Sequence, residues 1–169
     1  MNRGFFGIGV YHIKSEANLG TLFRSAQCFG ADFIYTIGRR YKEQASDTMK
    51  SRLHMPLYHY NTLEDMRDHL PHGCRIVGVE LDDRAWKVGH YVHPERCVYL
   101  LGAEDHGIPP KQLEMCHDII QIPGASRCLN VSAAGSIVLF DRVNQAARYT
   151  SPKQRAKKLS AIDLALSNF

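Results

Sequence analysis

The chain has 169 residues, is 44% hydrophobic and carries a formal net charge of +4. That length and apolar content suit one globular domain, expected over residues 1–150, followed by a basic, amphipathic tail over 151–169. The mild positive excess allows an anionic partner without requiring one, and no apolar run is long enough to span a membrane.

Five cysteines, Cys28, Cys74, Cys97, Cys116 and Cys128, are odd in number and widely spaced, with no C-x-x-C among them. This argues against a disulfide framework and for a reduced, cytoplasmic protein. The nine histidines show no metal-ligand spacing, so no metal is expected. The first ten residues lack the apolar core and small-residue cleavage site of a signal peptide, so none is expected there.

Residues 4–13 are apolar and β-rich and read as a buried strand. A helix follows, with Asn18 as a plausible cap. Leu19, Leu22, Phe23, Ala26 and Phe29 fall at helical spacing, and Gly30 is the expected residue just past its end. Residues 32–37 form a second strand, so the chain opens as a βαβ unit with a parallel sheet. Residues 38–55 turn polar and basic, with Arg39, Arg40, Lys42, Lys50 and Arg52, and read as a long surface loop.

A short strand is expected over 55–60 and a short helix over 62–70, capped by Thr62. A turn at 71–73 then leads to a strand over 75–81. Trp86, Tyr91 and His93 lie in a loop-like stretch. Such aromatics can stack a base, but packing against a sheet edge is the favoured reading. Residues 96–102 form a strand with a continuous apolar centre, as in the middle of a parallel sheet. Pro109 and Pro110 open a helix to about residue 117, residues 118–122 form the last strand, and residues 130–149 form the longest helix.

Three junctions stand at strand ends, around residues 18–24, 102–107 and 122–132. In open α/β sheets, ligands bind outside the carboxyl ends of the strands. The dinucleotide fingerprint G-x-G-x-x-G and the P-loop are both absent, which disfavours a dinucleotide or an ATP phosphate.

These junctions carry a family resemblance. Asn-Leu-Gly-Thr-Leu-Phe-Arg-Ser-Ala-Gln-Cys-Phe-Gly at 18–30 resembles motif 1 of the SpoU branch of the SPOUT RNA methyltransferases. Leu-Gly-Ala-Glu-Asp-His-Gly-Ile-Pro at 101–109 resembles motif 2. Ile-Pro-Gly-Ala-Ser-Arg-Cys-Leu-Asn-Val-Ser-Ala-Ala at 122–134 resembles motif 3, and Thr-Met-Lys-Ser at 48–51 is similar to a further loop element.

The resemblance implies the SPOUT fold, an α/β parallel sheet flanked by helices with a C-terminal deep trefoil knot. It also implies S-adenosylmethionine as cofactor and an obligate homodimer whose site is completed across the interface. The product would be a 2′-O-methylated ribose in tRNA or rRNA, with tRNA slightly favoured. Leu101, Gly102, Ile122 and Leu129 match the family's cofactor contacts, and Asn18, Arg24, Glu104 and Asn130 match its functional polar residues. Arg39, Arg40, Lys50 and Arg52 are the expected RNA phosphate contacts.

Arg24 reads as an electrostatic clamp on the forming alkoxide rather than a base, since a guanidinium does not give up its proton. Glu104 is expected to orient its neighbours by pairing with Arg24 or Asn18, and Asn130 to cap the last helix. The chain departs from the family at Cys128, commonly serine, and at Gly124, often methionine. Two other readings are a non-catalytic RNA-binding protein that keeps the fold and a base methyltransferase of the wider class.

Overall fold

The computed structural model of the chain describes residues 4–38, 55–124 and 128–148. In chain order the elements are β1 (Phe5–Tyr11), α1 (Glu16–Cys28), β2 (Phe33–Ile37), β3 (Leu57–Tyr60), α2 (Leu63–Asp68) and β4 (Arg75–Val79). They continue with β5 (Trp86–Lys87), β6 (Arg96–Leu101), α3 (Pro110–Leu113), β7 (Asp118–Gln121) and α4 (Val131–Arg148). The strands make one seven-stranded sheet in the order β3-β2-β1-β6-β4-β7-β5. Every pairing in it is parallel. This is the α/β parallel architecture expected. The expected C-terminal knot involves residues 125–127 and 149–169, which lie outside the described residues, as do the 39–54 loop and the tail.

Alternation along β1 sends its side chains to two separate cores. Phe6, Ile8 and Val10 face α1 and α4, where they meet Leu19, Leu22, Phe23, Val138 and Leu139. On the opposite face β1 carries Gly7 and Gly9, and the gaps are filled by aromatics from β2. A Cβ at Gly7 would fall 2.5 Å from the Phe33 ring, and one at Gly9 2.4 Å from Tyr35. Tyr35 is fully buried and donates to the Tyr99 carbonyl at 2.8 Å. Leu63, Met66 and Leu113 close that second core from α2 and α3.

α1 and α4 pack directly on each other. A Cβ at Gly135 would lie 2.4 Å from Leu22 Cδ1, so glycine sets how close the two helices come. Ser25 and Ser136 hydroxyls bond across the same seam at 2.8 Å.

Local chemistry corrects three of the expected elements. The N-cap of α1 is Ser15, not Asn18: Ser15 is extended, at φ −92° and ψ 113°, and its hydroxyl accepts from the Asn18 N–H. α3 is a single turn ending at Leu113, because the His117 N–H is captured by the Ile76 carbonyl at 2.8 Å. The stretch after Leu81 contains a two-residue strand, β5, paired to β7 at the sheet edge. Tyr91 and His93 are buried and Trp86 is 36% exposed at that edge, so the packing reading of the buried pair holds.

Candidate active site

The strand order reverses between β1 and β6. The chain walks outward from β1 to β3, then returns on the other side of β1. Loops leaving such a pair diverge and open a crevice at the carboxyl ends. The loop after β1 carries Asn18 on the first turn of α1, and the loop after β6 carries Glu104.

The 102–108 loop is a tight hairpin. Ala103 and Gly107 exchange both backbone hydrogen bonds at 3.0 Å and leave residues 104–106 at the tip. Two glycines make it possible. Gly107 has φ +63°, and a Cβ at Gly102 would sit 2.4 Å from the Gly107 backbone.

Three of the four predicted polar residues form one hydrogen-bonded chain. The Asn18 amide donates to Glu104 Oε1 at 2.6 Å, and the Asn130 amide donates to Asn18 Oδ1 at 2.9 Å. Asn130 Oδ1 in turn accepts from the Ser132 N–H at 3.0 Å, the Ser132 hydroxyl at 2.6 Å and the Ala133 N–H at 3.3 Å. It therefore caps α4, as expected. The cap also fixes every amide in the series. Backbone N–H groups need an acceptor, so Asn130 turns its oxygen to the helix and its nitrogen to Asn18. Asn18 must then present its nitrogen to Glu104. The positive end of α4 is thereby relayed to a carboxylate.

Lys14, at the end of the β1 loop, pairs with Asp105 on the same hairpin. This hydrogen bond holds the Asp105 carboxyl below the usual carboxylate range. The β1 and β6 loops are thus tied at two points.

Beside this chain lies an open cleft of about 590 Å³. Leu101, Gly102, Ile122 and Leu129, the four predicted cofactor residues, all line it, together with Glu104, Cys128 and Val131. Leu129 is 44% exposed where it lines the cleft. Sequence reading missed Glu80, which lines the far side of the cleft. Its position at the end of β4, a third strand end beside the other two, was the available signal.

Arg24 is not part of the chain. It is exposed and makes no hydrogen bond or ion pair among the described residues. It lies six residues beyond Asn18, about 240° around the helix and roughly 9 Å along it. Glu104 pairs with Asn18 and not with Arg24. Arg39, Arg40, Lys50 and Arg52 lie outside the described residues.

Fold and site together define an open parallel α/β protein with a cleft at the carboxyl ends of β4, β6 and β7. Residues 6–140 match the SpoU rRNA Methylase family, and the chain belongs to that family. It is 28% identical over 145 residues to a mouse (Mus musculus) tRNA (guanosine(18)-2′-O)-methyltransferase, with 79% of this chain and 9% of the mouse protein covered. It is 26% identical over 138 residues to the Escherichia coli tRNA (guanosine(18)-2′-O)-methyltransferase, and there it spans 79% of its own length and 60% of the relative's. An AdoMet-bound rRNA methyltransferase from Sinorhizobium meliloti superposes with a TM-score of 0.74 at 24% identity, over 84% of this chain and 57% of that one.

Proposed function

We propose that the chain is an S-adenosylmethionine-dependent RNA methyltransferase acting on a ribose 2′-hydroxyl of tRNA or rRNA, tRNA slightly favoured, as a homodimer. The observation that carries this reading is the Asn130–Asn18–Glu104 chain beside the cleft of about 590 Å³. It is a set of polar groups fixed in orientation but still open on the solvent side.

The cleft suits the cofactor. Its walls are mainly aliphatic, and among the described residues Glu80 and Glu104 are the lining groups with a formal charge, both negative. A ligand bearing a cationic sulfonium between less polar groups matches that lining. Leu101, Gly102, Ile122 and Leu129 would hold it, and when bound it supplies an activated methyl group on positive sulfur.

The chain's own contribution is positioning and charge. Asn18 occupies Oε1 of Glu104, and the carboxylate keeps acceptor capacity for a ribose hydroxyl. That bond would aim the hydroxyl oxygen at the cleft. The oxygen gains negative charge as it reacts, and a guanidinium is the group that stabilises it. The proton leaves to a substrate phosphate or to water.

Arg24 supplies that guanidinium from a partner subunit. It projects from an exposed line on α1 that also carries Thr21 and Cys28. The neighbouring face of α4 exposes Ile137, Phe140 and Val143 at helical spacing, with Phe140 57% exposed and edge-on to Phe29. An apolar stripe bordered by an arginine fits a self-complementary interface. It would bring the partner's arginine to a site that holds none among the described residues.

The test is methyl transfer from labelled cofactor to tRNA and rRNA, followed by digestion to nucleosides. A 2′-O-methylated nucleoside is expected. Base methylation, or RNA binding with no methyl transfer, overturns the reading. Sedimentation should show a dimer, and an active monomer contradicts the shared site.

A further inference from the structure

The cleft has two carboxylates, and only Glu104 is used by the reading above. Glu80 follows β4 and is anchored to β7 by its N–H bond to the Ile120 carbonyl at 3.0 Å. Its Oε2 accepts from the Ile108 N–H at 2.7 Å, and its Oε1 accepts from the Leu81 N–H at 3.0 Å. Oε2 also fills the space a side chain at Gly107 would need, 2.3 Å from that Cβ position. So Glu80 holds the base of the 102–108 hairpin from below.

Those bonds do not exhaust it. A carboxylate offers about four lone-pair sites, and two are taken. Glu80 is half-buried, lines the cleft, and has no cation in ion-pair contact among the described residues. A charge so placed calls for further donors.

The sheet order says which donors. The polar chain that marks the reacting end stands over β1 and β6, whereas Glu80 stands one strand further on, over β4 and beside β7. This step rests on the cofactor reading above. If the methyl-bearing end lies beside Asn18 and Glu104, the nucleoside half extends toward Glu80, with Val79, Leu81 and Ile122 around it. A nucleoside carries a vicinal pair of hydroxyl donors on its ribose. A carboxylate with two open acceptor sites is the group that pairs with them, as acidic residues do at other nucleotide-binding strand ends.

We propose that Glu80 reads the cofactor's ribose, taking its hydroxyls on the carboxylate while its other bonds hold the 102–108 hairpin. The experiment is calorimetry on the full chain with two probes, S-adenosylhomocysteine and its 2′,3′-dideoxy counterpart. The parent should bind the hydroxylated probe roughly 30-fold more tightly or better, as expected for charge-assisted hydrogen bonds. Glu80→Gln keeps the volume and an acceptor for the Ile108 N–H, and it should shrink that preference to about threefold by weakening the hydroxylated probe alone. Equal weakening of both probes, or an unchanged preference, overturns the proposal and leaves Glu80 as a hairpin support only. The parent measurement decides without any variant: binding with no preference for the hydroxyls sinks the ribose assignment alone. Failure of the parent to bind either probe sinks the cofactor reading and this one with it.

Discussion

Two polar networks tether loops to α4, and they are built in opposite ways. At its N-terminal end, Asn130, Asn18 and Glu104 make a thin series in which each amide is oriented and the last carboxylate opens to solvent. Further along, Asp141, Arg142 and Gln145 are buried and grip the 89–95 segment. Asp141 Oδ2 accepts from the Gly89 N–H at 3.0 Å and from Gln145 Nε2 at 2.9 Å, and it bonds His93 Nε2 at 3.0 Å. His93 Nδ1 meets the Tyr99 hydroxyl at 2.6 Å, while Arg142 donates to the Pro94 carbonyl at 2.8 Å and the Glu95 carbonyl at 3.1 Å. The Arg142 guanidinium also lies 4.3 Å from the centre of the Phe6 ring.

The buried network spends its hydrogen bonds on the protein, so its product is stability and a fixed loop. The exposed network keeps bonding capacity in reserve, so its product is a site. Mutations in the two networks should therefore separate activity from stability.

The largest effect is expected outside both, at Arg24. Arg24→Ala should lower turnover by about 10³-fold, as for loss of a charge-stabilising donor. Affinity for S-adenosylmethionine should stay within about twofold, because Arg24 does not line the cleft. Single-turnover kinetics beside calorimetry reads both quantities. Lost cofactor affinity with retained turnover at saturation would sink the assignment.

Next is the buried network. Asp141→Ala removes an acceptor shared by Gly89, His93 and Gln145, and it should destabilise by about 3 kcal/mol. Denaturant unfolding checks this. The folded fraction should keep its cofactor affinity. If turnover of folded protein falls with stability unchanged, the division between the networks is wrong.

Asn18→Ala is the converse. It cuts Glu104 from the α4 relay, and it should slow turnover by about 10²-fold while stability changes by under about 1 kcal/mol, since the bonds it removes are exposed. A stability loss as large as that of Asp141→Ala would mean the exposed series is structural as well.

Much of this was legible before the fold was seen, and the gaps have physical causes. The strands of the sheet centre have buried apolar middles, so β1, β4, β6 and β7 were readable from pattern alone. β5 was not, because two residues show no period. Asn130 declared itself by type and place. Asn18 was misread as a cap because Ser15, three residues earlier, is an equally good capping residue. The backbone chose Ser15, which freed the Asn18 side chain for Glu104. Proximity of Glu80 to the 102–108 hairpin follows from β4 and β6 being neighbours, a fact of strand order that no local pattern carries.

The smallest effect compares the two candidate surfaces, cleft and helix face, through the cysteines. All five are free. Burial pushes the Cys74 thiol up to about 11 and the Cys116 thiol up to about 12, and it also raises that of Cys97. At pH 8 the reactive thiolate is then only ~10⁻³ of Cys74 and ~10⁻⁴ of Cys116. The two exposed thiols, Cys28 and Cys128, should alkylate first. Cys128 lines the cleft, whereas Cys28 ends α1 on the exposed line that holds Arg24. S-adenosylmethionine at ten times its dissociation constant should slow alkylation of Cys128 about tenfold and leave Cys28 unchanged. Raising protein concentration through the dimerisation range should do the reverse. Peptide mapping by mass spectrometry follows both sites in one sample. Cofactor protection at Cys28 but not Cys128 would exchange the roles assigned to the two surfaces.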